Sequence, residues 1–496
     1  MIDLPSDMQE MIERGVSAVR NAGTVLVLSH IDADGITSMA IVLEALGRLE
    51  KAHAWRNIHQ INSESIHEVI ELIEEHSPDV IVFCDFGSGQ FDLIEEQVAG
   101  QAGVEYVIIL DHHIPPDDRR RIDNEPSGRI IEINPCQHGI SGSKDLSGAG
   151  VSFLFAIGLT PDNADLSELA IVGATGDLQN YYGKGFSGLN GGILKIGVQG
   201  GLIRVEKDLT LFGINTRPLA QLLQYATDPY LPGLTGNIDA CYHFYTELSI
   251  ELKDGYDEWR RWVDLSQREK QRVVQKLIEE LLAYYDDSRI ATGLIGDVTN
   301  LLHRPPRSEM STAKEFATLL NACGRNRRAD IGVRICLGDK EAFDEGKALL
   351  QQHRANLAMA IRRIEEGGYE ETDGAYIVND HMTKDTIIGI VIGMAQGSTI
   401  IPSDKPVIGI STNTTDDSPL VKISGRARNH VVDRGVNLKK VFTGVADAMN
   451  QENHKLVVEA GGHPMAAGAF VDQDHLDEFI GRVSKELARV LDQKKG

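Results

Sequence analysis

Three short stretches set carboxylates and imidazoles where apolar runs stop. "TVLVLSHIDADG" (24–35) delivers His30, Asp32 and Asp34 at alternating positions, "VIVFCDFG" (80–87) ends in Asp85, and "YVIILDHH" (106–113) ends in Asp111, His112 and His113. Farther on, "LAIVGATGDLQ" (169–179) offers Asp177 after another apolar run. Taken singly these are commonplace: a D-x-D is ordinarily a solvated turn, and a strand-end Asp a helix N-cap. Taken together they ask for a cation, because carboxylates this close raise one another's pKa unless positive charge holds them. Were the first strand to continue, period two would put His30, Asp32 and Asp34 on one face; a turn at Gly35 would also gather them. Carboxylate and imidazole ligands without thiolate suit Mn²⁺ or another divalent ion of intermediate hardness. Their number suits two ions. Two ions roughly 4 Å apart hydrolyse phosphate esters by activating a water and stabilising the leaving oxygen.

The runs that position these groups alternate with helical patterns, "HEVIELIEEH" (67–76) and "FDLIEEQVA" (91–99). Such alternation predicts a parallel sheet covered on both faces, with ligands beyond the carboxyl ends of its strands. Four strand ends, that of the run before Asp177 included, are expected to meet at one rim. From 206 to 320, "TRPLAQLLQYATDPYLPGLTG" and a helix opening at Ser266-x-x-Glu269 predict a largely helical insertion. One long helix over about 340–366, stopped by Gly367-Gly368, is read as a spacer. A second, smaller α/β unit follows, with strands at 375–380, 406–411 and 420–425 and a final amphipathic helix. The expected domains are 1–205, 206–320, 321–368 and 369–496.

The 496 residues are too many for one ordinary domain, and 42% hydrophobic with 25% charged content is that of a soluble globular chain. No apolar run approaches the ~20 residues of a membrane span. The acidic start "MIDLPSDMQE" is unlike a secretory signal, so a cytoplasmic protein is expected. Five cysteines without a C-x-x-C pair argue against a disulfide framework and against zinc ribbons. A net charge of −24 weighs against wholesale nucleic-acid binding. Local basic stretches can nevertheless form a groove on an acidic body. "GRNRR" (324–328) offers Arg325, Arg327 and Arg328; "ISGRARNH" (423–430) offers Ser424, Arg426, Arg428 and His430. In "GGHPMAAG" (461–468), Gly461 and Gly462 would expose backbone N–H groups to a phosphate beside His463; the bland alternative is a tight turn entering a helix.

H-x-D-x-D-G, a lone strand-end Asp, D-H-H and a later G-D resemble, in order, the motifs of the DHH phosphoesterase superfamily. "GGHPMAAGAF" (461–470) resembles the glycine-rich motif of its companion DHHA1 domain. "NACGR" (321–325), leading into the long helix, is similar to the N-A-x-G-R segment of RecJ-type exonucleases, and the full stretch "FATLLNACGRNRRADIGVRICLGD" (316–339) together with "RPLAQLLQYATDPYLPGLTG" resembles the archaeal RecJ-like branch that includes the GINS-associated nuclease. The resemblance implies a metal-binding DHH domain and a smaller substrate domain across a cleft, without the bacterial enzyme's additional OB-fold. It implies that His30, Asp32 and Asp85 hold one ion and that Asp34, Asp85, His112 and Asp177 hold the other. The ions would be Mn²⁺ before Mg²⁺. His113 would face the scissile phosphate, Asp111 would orient a histidine, and Arg325, Ser424, Arg426, Gly461, Gly462 and His463 would bind substrate. The implied activity is a single-strand exonuclease, 5′→3′ on DNA before RNA, in replication and repair, with GINS or the replicative helicase as partner. Two alternatives stand beside it: a phosphoesterase of oligoribonucleotides, cyclic dinucleotides or pyrophosphate, and a replication scaffold.

Overall fold

Uniformly apolar strands must be covered on both sides, and the first sheet is built that way. In the computed structural model, which describes residues 2–62, 65–115, 129–180, 185–226, 229–285, 291–398, 400–412 and 420–492, five parallel strands form it. They are β1 (Thr24–Ser29), β2 (Ala52–Asn57), β3 (Val80–Cys84), β4 (Tyr106–Leu110) and β5 (Ile130–Ile133), in the order β2-β1-β3-β4-β5. Val25, Val27, Val82, Cys84, Ile108 and Leu110 join one core, together with residues of helices Ser6–Asn21, Ala33–Arg48, Gly148–Leu159 and Ser167–Gly176. The intervening Leu26, Leu28, Ile81, Phe83, Val107 and Ile109 join the other, under helices Ile66–His76 and Phe91–Gln97. The chain leaves β1 toward β2 on one side and returns to β3 on the other. The β1/β3 boundary is therefore the switch point where doubly wound sheets bind ligands.

The run 169–174 is not a strand. It lies in helix Ser167–Gly176, whose first nine residues are all buried. A helix enclosed on every side shows no polar period, so a short apolar run of this kind reads as a buried strand. The insertion is largely helical, with helices Leu219–Gln224, Ile238–Glu247 and Gln267–Tyr284, but an antiparallel pair frames it: β6 (Ile203–Leu209) and β7 (Ile295–Leu301). Ser266 and Glu269 form the expected capping box.

Helix Lys340–Gly367 runs 28 residues, and the division of the chain into two compact units falls within it. One unit comprises Met1–Tyr225 and Pro232–Leu350, the other Ala226–Leu231 and Gln351–Gly496. The second holds six strands: β8 (Glu370–Glu371), β9 (Tyr376–Asn379), β10 (Val407–Ser411), β11 (Leu420–Arg426), β12 (Val458–His463) and β13 (Ala466–Asp472). Their order is β12-β13-β11-β10-β9-β8. Ile423 packs into the core of helices Leu438–Asn453 and Leu476–Asp492, and a Cβ on Gly425 would meet Phe442 there. Among the described residues no helix is long and apolar enough to cross a membrane.

Candidate metal centre

The parallel register carries chemistry-bearing residues to one edge. Ser29 pairs with Cys84 and Cys84 with Leu110, so His30, Asp85 and Asp111 emerge side by side from β1, β3 and β4. After His30 the chain turns at once into a helix instead of continuing as strand. Asp32 is the N-cap of helix Ala33–Arg48, accepting the Gly35 amide at 3.0 Å. Gly35 permits the fold-back, since a Cβ there would sit 2.4 Å from the His30 carbonyl oxygen. Asp34, in the first helical turn, is turned inward. Its two oxygens accept the Gly148 and Ala149 amides at 2.7 and 3.0 Å, at the N-terminus of helix Gly148–Leu159. Asp177 follows helix Ser167–Gly176 as its C-cap, so it reaches the edge from a helix end and not from a strand.

Three groups of side chains bring ligand atoms within 4.8 Å of one another: His30, Asp32 and Asp85; Asp34, His112 and Asp177; and Asp85, His112 and His113. Asp85 belongs to two of them through different oxygens. Its Oδ2 lies 3.8 Å from His30 Nδ1, and its Oδ1 lies 3.2 Å from His112 Nε2. That Oδ1 is buried with no aligned hydrogen-bond donor, a costly state for a carboxylate oxygen and one that a cation would relieve. His112 Nδ1 points to the Gly142 carbonyl at 2.6 Å, which turns Nε2 toward the carboxylates. Donor types and burial thus fit divalent ions, with Asp85 able to serve two. Asp34, Asp85, Asp111 and His112 form a buried floor, while His30, Asp32, His113 and Asp177 form an accessible rim.

Charge in the cluster is mutually compensating. Burial raises the Asp34 carboxyl well above the carboxylate range, and Asp85, Asp177 and Asp32 push the same way against His112. Burial also raises Asp177, opposed by His112 and Gln179. For His30 and His112 burial works against the imidazolium, yet the surrounding carboxylates outweigh it and hold both well above the usual histidine value. Asp111 differs: burial is overcome by His113, and its carboxyl is held far below the ordinary range. It accepts from the Ser88, His112 and His113 amides and from His113 Nδ1, the last at 2.8 Å.

Arg325 lies at this centre too. It ends helix Ala313–Arg325, half-buried and close enough to Asp32 for the carboxylate to act on its charge. Ser424, Arg426, Gly461, Gly462 and His463 lie in the other unit. "GGHPMAAG" there is a hairpin, not a turn into a helix: β12 and β13 pair His463 with Ala466, and Gly461 with Gly468. Gly461 and His463 share a face with Ser424 and Arg426, because cross-strand partners point the same way; Gly462 alternates to the other. Arg428 donates to the Gly393 carbonyl, Arg328 pairs with Asp330 and Glu345, and His430 contacts the Ser403 carbonyl, so these three are engaged locally. Arg327 is exposed.

Sequence reasoning passed over the residues that brace the centre. Asn321 Oδ1 accepts the Ala33 amide at 3.0 Å, and a Cβ on Gly324 would lie 1.9 Å from the Ile31 oxygen. "NACGR" is thus a clasp on the loop that carries His30 and Asp32, and its spacing was the available signal. Gln179 donates to Asp177 Oδ2 and to the Gly142 carbonyl, and Asn190 holds Gln179 in turn. Nothing in the linear sequence marks Asn190.

The chain matches the DHH family, N-terminal domain, over residues 24–174, the DHH-CID domain over 211–292 and the DHHA1 domain over 373–489. It is 29% identical to an uncharacterized protein of Methanocaldococcus jannaschii, over 95% of this chain and 94% of that one. It is 30% identical to the single-stranded-DNA-specific exonuclease RecJ of Bacillus subtilis, over 34% of this chain and 21% of that protein. The chain thus matches only about a fifth of that exonuclease. Exonuclease RecJ bound to manganese superposes with a TM-score of 0.53 at 18% identity, covering 98% of this chain and 96% of that one. CDC45 of Entamoeba histolytica gives 0.62 at 14%, covering 98% and 100%. The last two likenesses are of fold. Matched in order by the DHH, DHH-CID and DHHA1 domains, the chain belongs to the DHH/DHHA1 phosphoesterases as a RecJ-like member.

Proposed function

We propose that the protein is a two-metal phosphodiesterase, using Mn²⁺ before Mg²⁺, that degrades single-stranded nucleic acid from an end. DNA cut 5′→3′ in replication and repair, in the cytoplasm, is the expected case. The observation that carries this reading is Asp85, whose two oxygens face two separate ligand groups. His30, Asp32 and Asp85 hold one ion; Asp34, Asp85, His112 and Asp177 hold the other. When bound, such ions supply positive charge for a phosphoryl oxygen and lower the pKa of a water.

The chain's own groups do the rest. Asp111 holds His113 through Nδ1, so Nε2 is the ring atom through which His113 would donate to the leaving oxygen. Asp111 also outweighs burial and raises the His113 pKa, which keeps that proton available near neutrality. Arg325, beside Asp32, serves as a phosphate contact on the same unit. Ser424, Arg426, Gly461, Gly462 and His463 bind the substrate strand. Single-strand preference is supported by the name of the Bacillus subtilis relative, and manganese by the RecJ structure that holds it.

The test uses single-stranded DNA and RNA oligonucleotides labelled at either end, with Mn²⁺ and then with EDTA. Mononucleotides released from the 5′ end of DNA, with Mn²⁺ only, are expected. Intact long strands alongside hydrolysed dinucleotides would replace this reading with a small-substrate phosphoesterase. The second reading is a scaffold role beside catalysis, with GINS as partner, and the fold likeness to CDC45 is compatible with it. Co-elution of the two purified proteins in size-exclusion chromatography tests it.

A further inference from the structure

Lys422, Ser424 and Arg426 occupy alternate positions of β11 and face away from the core that receives Ile423 and Gly425. Across the ladders, Ser424 lies level with Gly409 on one side and with Gly468 and then Gly461 on the other. These glycines add no side chains of their own: Ile388 and Ile392 of helix Asp385–Gly397 cover the row at Gly409, where a Cβ would lie 2.8 Å from each, and the row opens toward Gly461, where a Cβ would meet nothing within 4 Å. Ser424 is only 5% exposed, and its hydroxyl has no partner among the described residues. Two cations flank it. Arg426 packs so closely on helix Asp385–Gly397 that a Cβ on Gly389 would come 2.4 Å from its guanidinium. Lys422 Nζ sits 3.9 Å from the centroid of the Phe470 ring and leans over Gly468, where a Cβ would be 3.2 Å away.

We propose that Lys422 is a further phosphate-binding group on this face, closing with Ser424 and Arg426 over the glycine row on a phosphate of the substrate strand. The proposal rests on the nucleic-acid reading above. An ammonium leaning over Gly468, beside a serine hydroxyl with no partner among the described residues, is a half-built anion site, and an incoming phosphate oxygen supplies the acceptor both donors lack. The surroundings make the contact proton-linked. Burial pulls the Lys422 pKa down to about 8, Asp385 and Glu459 oppose it, and Arg426 adds to it. A phosphate restores the charged form, so affinity is full where the free lysine is protonated and declines as pH rises past about 8.

The experiment is binding of a fluorescent oligothymidylate, with and without a 5′-phosphate, measured by anisotropy in EDTA. Lys422→Met is expected to weaken binding about tenfold or more at neutral pH and to abolish the alkaline decline. Lys422→Arg keeps its charge and is expected to bind without that decline, which separates charge from packing; Lys422→Gln stands in should the Met variant fail to fold. A loss confined to the phosphorylated oligomer assigns the contact to the terminal phosphate, and a loss with both assigns it to the backbone. Wild-type affinity in both neutral variants overturns the proposal and leaves the nucleic-acid reading intact. Absence of wild-type binding to either oligomer sinks that reading and the proposal together.

Discussion

At the scale of single residues, Asp85 combines a strained backbone with a central place among the ligands. Its φ of 65° is a left-handed conformation that few residues other than glycine adopt, and a Cβ on Gly148 would lie 2.5 Å from its Oδ1. Asparagine tolerates that backbone, so Asp85→Asn is the clean variant. It is expected to abolish Mn²⁺ binding and hydrolysis while leaving the metal-free melting temperature little changed, because the repulsion relieved among crowded carboxylates is offset by the attraction lost to His30 and His112; calorimetric titration and thermal melts check both. A fall in the metal-free melt equal to that of a core truncation would make Asp85 structural. His113 and Asp111 should separate. His113→Ala keeps the metal and loses about 10²–10⁴-fold in kcat. Asp111→Asn turns an acceptor of four hydrogen bonds partly into a donor and should also cost about 1–3 kcal/mol of stability. Metal binding is expected to release protons. His30 and His112 are held well above their usual value, so both carry protons at neutral pH without metal. Mn²⁺ affinity must then fall as pH falls, and titrations in buffers of different ionisation enthalpy should register more than one proton released per chain.

At the scale of elements, the centre is a meeting of three strand ends and four helix ends, and these were not equally legible. The runs before His30, Asp85 and Asp111 are almost continuously apolar, polar only at Thr24 and Ser29, and bounded by turn residues, which is how a strand buried on both faces reads. Asp32 and Asp34 were found by type, but their helical placement was hidden because Asp-Ala-Asp-Gly fits a turn, a strand end or an N-cap alike. The run before Asp177 misled for the reason that made the strands legible: helix Ser167–Gly176 is so enclosed that no period survives. β6, "IRVEKDL", was missed because it is mostly exposed and charged, and only its pairing with β7 makes it a strand. The clasp by helix Ala313–Arg325 shows what a motif can hide. Its arginine drew attention, yet the glycine is the tighter constraint. Gly324→Ala would drive a methyl into the Ile31 carbonyl, a backbone atom that cannot swing aside. We expect a loss of about 1–3 kcal/mol in denaturant unfolding, with Mn²⁺ affinity weakened as the loop of His30 and Asp32 is displaced. An unchanged affinity would show that the loop holds its shape without the clasp.

At the scale of the whole molecule, the two units have separate cores and separate chemistry. Each of the three ligand groups described above, from His30 to Asp177, falls within Met1–Tyr225, whereas Ser424, Arg426 and the glycine hairpin fall within Gln351–Gly496. The net charge of −24 also takes on meaning here. Part of it is the carboxylate cluster, which ions would offset, and the basic groups proposed to meet phosphate are few and local. Modest salt dependence of oligonucleotide binding should follow, since each phosphate neutralised contributes only about one unit of log–log slope. The division also predicts how ligands act on stability. A ligand that binds only the folded form of one unit stabilises that unit by mass action, about 2.7 kcal/mol at a hundred times its Kd. Mn²⁺ is therefore expected to raise one calorimetric transition, that of the DHH unit, and a non-cleavable oligonucleotide in EDTA to raise the other. One transition that moves as a whole with either ligand would mean instead that helix Lys340–Gly367, which enters both units, couples their unfolding.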